Sequence, residues 1–128
     1  TLSLHDALPI SRAAVELSAP QVVACLAGHT DLPDAPEAFA AFDWMLHHTL
    51  TVASRNPVYT LILNGFAGFY EQMARRYFAR PEMRASSRAF YVALLAAAES
   101  GDATAAERIA RVVMEESIAF WEKVEIRP

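Results

Sequence analysis

Asn56–Phe78, NPVYTLILNGFAGFYEQMARRYF, is the stretch whose reading decides the fold. Asn-Pro is a helix start, with Asn as N-cap and Pro at the first helical position, where no backbone donor is needed. The first half is apolar almost all round, which predicts a helix buried in the middle of a domain. The second half is amphipathic. Phe66, Tyr70, Met73 and Tyr77 recur at helical spacing on one stripe, while Glu71, Gln72, Arg75 and Arg76 face elsewhere. At a rise of about 1.5 Å per residue the helix spans roughly 30 Å, the width of a small domain. On this reading it is the axis around which the other helices pack.

Both flanks supply such helices. Upstream, Pro36 to Ser54 carries a buried stripe of Phe39, Phe42, Leu46, Leu50 and Ala53, and Ser54-Arg55-Asn56-Pro57 makes a tight turn into the central helix. Gly28 to Pro36 reads as a loop. Before it, Ser18-Ala19-Pro20 restarts a short helix with Val22, Val23 and Leu26 on its apolar face. Arg12–Leu17 reads as the end of a helix whose beginning is missing. Downstream, Ala79-Arg80-Pro81 breaks the pattern. A helix follows from about Pro81 to Glu99, with Phe90, Leu94 and Ala97 inward. Gly101 closes it as C-cap, and Asp102 caps the next. The last helix runs to about Lys123, with Ile109, Val113, Ser117, Phe120, Trp121 and Val124 on or beside one stripe. No alternating strand pattern interrupts the series, so the expected fold is all-α, an antiparallel helical bundle joined by short loops.

The 128 residues, 54% of them hydrophobic, suit a single core. A net charge of −4 argues against direct contact with nucleic acid. The single cysteine, Cys25, excludes an internal disulfide and fits a reducing, cytoplasmic compartment. No apolar run reaches the ~18 residues of a membrane span. The opening decapeptide, TLSLHDALPI, resembles the one-frame translation of a short-read sequencing adapter. Residues 1–10 are therefore expected to be non-native, His5 and Asp6 to carry no function, and residues 11–128 to be an N-terminally truncated domain of a longer protein.

Asp43 and His47 lie one turn apart on a helix face, with His48 beside them. A zinc-like ion needs about three or four protein ligands, so the pair reads first as a polar contact at the edge of the core and only weakly as a metal site. No nucleophile elbow, metalloprotease motif or glycine-rich phosphate loop is present, and the chain is not expected to be an enzyme. Gly65 and Gly68 weaken a helix by about 1 kcal/mol each relative to Ala; close approach of another helix is the favoured reason for them, room for a ligand the alternative. Tyr70 and Tyr77, two turns apart, and Ser117 and Trp121, one turn apart, place polar tips on inward faces. Such groups need partners. On residue types alone they fit a solid core with tips reaching the surface better than a cavity that orients an apolar ligand.

EAFAAFDW, ASRNPVYTLILNGFAGFY, RRYFARPE and EESIAFW together resemble the C-terminal domain of the FadR family, fatty-acid regulators among the bacterial GntR-type transcription factors. The resemblance covers about Pro36 to Lys123 without an evident gap. It implies a ligand-sensing domain of a homodimeric repressor and activator, in which long-chain acyl-CoA releases DNA from an N-terminal winged helix-turn-helix absent from this chain. It also implies that Tyr77, Ser117 and Trp121 line or gate the acyl-CoA site, that Tyr70 is a further pocket tyrosine, and that Phe66, Phe69, Met73 and Met114 line the acyl channel. On this reading a cavity replaces the solid core. The effector is acyl-CoA; no cofactor and no metal are expected.

Two features depart from the family pattern. Val113 stands where the family has another tyrosine, and a pocket arginine from an upstream helix falls where the adapter-like segment stands. Wider GntR-type relatives bind a metal and small carboxylates through three histidines and an aspartate. Of these only His47 has a counterpart among the histidines; Tyr91 and Val113 occupy the other two places. A metal-dependent carboxylate sensor and a helical protein-interaction scaffold are the competing readings.

Overall fold

The computed structural model describes residues 4–65 and 67–126, with side chains described for 9–65 and 67–123. The expectations placed on His5, Asp6, Phe66 and Val124 lie outside the described residues. Within them the fold is all-α, as the periodicity predicts: α1 Leu4–Leu26, a 3-10 turn Ala27–Asp31, α2 Pro36–Ala53, α3 Pro57–Gly65, α4 Ala67–Phe78, α5 Pro81–Ser100 and α6 Ala103–Ile126.

α1 is the axis of the bundle, packing against α2, α5 and α6. Its inward residues Ile10, Ala14, Val15, Val22 and Leu26 are all buried. The adapter-like segment therefore ends in the core, since Ile10 is 4% exposed. The break expected near Ser18 is present as a kink inside one continuous helix, with Ser18 at φ −150°, ψ 44°. Pro20 supplies the cause, because its ring and missing donor disrupt the bond to the carbonyl one turn earlier. Beside the kink, the Leu17 carbonyl accepts a hydrogen bond from Arg55 at 2.9 Å. Arg55 sits at φ 58°, in the tight turn between α2 and α3.

α2 buries the stripe read from the sequence, Phe39, Phe42, Leu46, Leu50 and Ala53. The central-helix expectation is corrected. Pro57–Gly65 and Ala67–Phe78 are helical as expected, but α3 is not buried: Val58, Leu61 and Ile62 are 58%, 74% and 37% exposed, and Leu63 is its buried residue. Asn56 does cap α3, its Oδ1 accepting the Val58 N–H at 3.0 Å. An apolar surface all round shows that a helix can be covered on every side; here α3 leans on α2, with a smaller contact to α4. The glycine expectation is corrected as well. A Cβ at Gly65 or Gly68 would meet no heavy atom within 4 Å, so neither serves close packing.

α5 ends in a Schellman motif: Gly101 at φ 68°, with Gly101 N–H bonded to Ala98 and Asp102 N–H to Ala97. Asp102 then caps α6 by accepting the Ala105 N–H at 3.0 Å. At the centre, Tyr91 packs against Phe42 with ring centroids 4.8 Å apart, and Phe39 against Phe78 at 5.5 Å. Arg88 lies 5.0 Å over the Phe39 ring and donates to the His29 and Leu32 carbonyls, which pins the 3-10 turn to α5. Among the described residues no helix is long and apolar enough to cross a membrane.

Candidate functional site

Two polar clusters lie inside the bundle. The first joins α4 to α6. Tyr77 is 7% exposed, and the Ser117 hydroxyl donates to its oxygen at 3.2 Å. One turn further along α6, the Trp121 ring lies 6.3 Å from Tyr77, with Phe120 5.1 Å from Tyr77 and edge-on to Trp121. Two guanidiniums cover these rings from outside, Arg76 over Trp121 and Arg80 over Phe120, each at 5.7 Å. Beside them runs an open groove of about 360 Å³ lined by Arg80, Met83, Glu116, Phe120 and Lys123. Met73, one turn before Tyr77, is half-buried, and Phe69 is 60% exposed. Tyr77, Ser117 and Trp121, which the family resemblance groups, thus lie at one place in the structure. Met114 lies elsewhere, on a small cavity of about 40 Å³ with Ile10, His47, Phe90 and Val113.

The second cluster centres on Asp43 of α2. Its carboxylate accepts from Tyr91 of α5 at 2.6 Å, from Tyr70 of α4, and from His47 Nε2 at 3.1 Å. Burial would raise the Asp43 carboxyl, but the His47 charge and the three hydrogen bonds outweigh it and hold the group below the usual carboxylate range. Burial likewise opposes charge on His47, and the Asp43 carboxylate overcomes it, holding the imidazole above its ordinary value. Burial, then the Asp43 charge, pushes Tyr70 and Tyr91 up; burial pushes Tyr77 up against the Ser117 hydrogen bond. All three tyrosines are neutral hydroxyls near neutral pH. Tyr70 also flanks Trp44, ring to ring at 5.3 Å, on an open cleft of about 310 Å³ between α2 and α4 onto which Gly68 faces.

Tyr70 is therefore placed with Asp43 rather than with Tyr77. The Asp43–His47 pair exists, and no group of three His, Cys, Asp or Glu that could hold a metal occurs among the described residues. Sequence reasoning missed Tyr91 and Ser87 as polar members of the interior and Arg76 and Arg80 as aromatic covers. The signal for the first two was present: Ser87 and Tyr91 are one turn apart and border the Phe90, Leu94, Ala97 stripe.

A family profile described as FadR C-terminal domain matches residues 7–127. The chain is similar to a fatty acid metabolism regulator protein from Shewanella frigidimarina, 40% identical over 113 residues, which are 88% of this chain and 47% of the relative. It is 47% identical over 83 residues to the protein of the same name from Shewanella denitrificans, covering 65% of this chain and 35% of that one. The chain thus spans about a third to a half of the length of the curated relatives it matches.

Proposed function

The chain belongs to the FadR C-terminal domain family, and from that premise we propose that it is the effector-binding domain of a transcriptional regulator of fatty-acid metabolism, with long-chain acyl-CoA as effector. The observation that carries this reading is the Tyr77–Ser117 pair, two hydroxyls bonded to each other at the inner end of an aromatic and cationic surface. A thioester and pantetheine chain presents carbonyl and amide groups that these hydroxyls can hydrogen-bond. Nucleotide phosphates suit Arg76, Arg80 and Lys123 at the outer end. The acyl tail suits the apolar side chains of α4 beside Tyr77, Met73 among them. Trp121 and Phe120 separate the wet end from the dry one.

On this reading the full-length protein is a homodimer, and DNA binding belongs to the part of the relatives' length that the chain does not span, consistent with the chain's net charge of −4. Effector and operator are linked by differential affinity: ligand releases DNA only insofar as it prefers the conformation that binds DNA poorly. The metal-dependent carboxylate sensor is the weaker reading, because the Asp43 carboxylate already accepts three protein hydrogen bonds.

Calorimetric titration with palmitoyl-CoA tests the proposal. Dissociation constants in the micromolar range or below are expected, weakened by about tenfold or more in Ser117→Asn, which fills the hydroxyl's place with a bulkier amide. A folded sample that takes up no palmitoyl-CoA overturns the reading. Stoichiometric metal in the purified protein would favour the carboxylate sensor.

A further inference from the structure

Three aromatic rings of this fold carry a guanidinium from the chain itself. Arg76 lies over Trp121 and Arg80 over Phe120, each at 5.7 Å, and Arg88 lies 5.0 Å over Phe39. Trp44 of α2 and Tyr70 of α4 form a further pair, and no cation of the chain lies over either ring among the described residues. Their centroids are 5.3 Å apart and the rings are tilted by 49°, on the open cleft of about 310 Å³ between α2 and α4. The Tyr70 hydroxyl is committed to the Asp43 carboxylate, so the side chain offers the cleft its ring rather than its proton. A phenol that donates to a carboxylate is polarised toward a more negative ring, which favours a cation against it.

The charges around the cleft leave one sign over. Arg75 is paired with Glu71 at 2.9 Å. His47 stands edge-on to Tyr70 at 6.2 Å, and its Nε2 is paired with Asp43 at 3.1 Å. Glu37, in the first turn of α2, remains without a countercharge among the residues that line the cleft. The rest of the lining is alanine and glycine, and a Cβ at Gly68 would meet no heavy atom within 4 Å, so there is room between the two helices. We propose that the Trp44–Tyr70 cleft is a second ligand site, which takes a methylated ammonium group against the two rings with Glu37 as its countercharge. A bare ammonium is strongly hydrated; methyl groups let the same charge enter a cleft walled by rings and alanines at less loss of hydration. The site shares no residue with the Tyr77–Ser117 cluster and goes beyond the acyl-CoA reading.

The whole chain, isotope-labelled at the indole nitrogens of its two tryptophans, is titrated with choline chloride against sodium chloride at equal ionic strength and followed by NMR. Dimethylbutanol, the neutral carbon isostere of choline, is run beside it. The expected result is that the Trp44 signal moves and saturates while the Trp121 signal stays, and that the neutral alcohol binds roughly tenfold more weakly. Gly68→Leu, which puts a side chain into the open cleft, abolishes the shift. Glu37→Gln weakens choline by about threefold and leaves the alcohol unchanged; it sits on the surface and keeps the test open should Gly68→Leu fail to fold. Phosphatidylcholine vesicles tell the sources of the group apart. Co-sedimentation that Gly68→Leu abolishes makes it a lipid headgroup, and choline binding without co-sedimentation makes it a free solute. Equal binding of choline and the alcohol, a shift at Trp121 in place of Trp44, a shift that persists in folded Gly68→Leu, or no shift at all overturns the site. Palmitoyl-CoA has no part in the titration, so each of these outcomes leaves the sensor reading standing.

Discussion

Removing the Asp43 carboxylate strands three donors at once, Tyr70, Tyr91 and His47. Each buried unsatisfied donor costs on the order of 1–3 kcal/mol, so Asp43→Ala is expected to lower stability in urea denaturation by about 3 kcal/mol or more. The Asp43–His47 pair also sets a pH dependence. A carboxyl held low in the fold stabilises above its unfolded value, near 3.8, and that contribution is lost as pH falls through the folded value. An imidazole held high stabilises below its unfolded value, near 6.5, and that contribution is lost as pH rises through the folded value. The pair therefore contributes most between those two pH values. The urea midpoint should fall on either side, and His47→Gln should remove the loss on the alkaline side. The one-turn spacing of Asp43 and His47 was legible in the sequence. That two tyrosines from other helices complete the cluster was not, because helical periodicity states which face a residue occupies and leaves open which face it meets.

Helix ends were the most legible features. Asn56, Gly101 and Asp102 do what their types predict, because a cap is decided by residues close in sequence. The exposure of α3 was missed, since an apolar surface all round leaves open which side is covered. The two classes of glycine should respond oppositely to alanine. Gly68→Ala meets no neighbour and should raise stability by about 0.5–1 kcal/mol. Gly101→Ala forces a side chain into the left-handed region at φ 68° and should lower it by about 1 kcal/mol. Thermal melts of the two variants beside wild type read both.

The fold class followed from the sequence because every segment keeps the helical period. The choice of axis did not, because α1 and Asn56–Phe78 are both apolar enough to be central, and only the packing ranks them. What results is an apolar surface on the outside: Val58, Leu61 and Ile62 of α3, with Val52 and Met45 of α2 exposed as well. Patches of this kind limit solubility. Leu61→Gln, at a side chain 74% exposed, should leave stability within about 0.5 kcal/mol while raising the concentration at which light scattering still finds a single species.

α3 leans mainly on α2 and joins α4 across a pair of glycines that nothing packs against. A segment tied to so little can come away while the rest stays closed. In heavy water its amides would take up deuterium through brief local openings, whereas those at the middle of α1 would wait for the bundle to unfold. One chain thus keeps two clocks, and the faster one belongs to the stretch of sequence that looked most deeply interior.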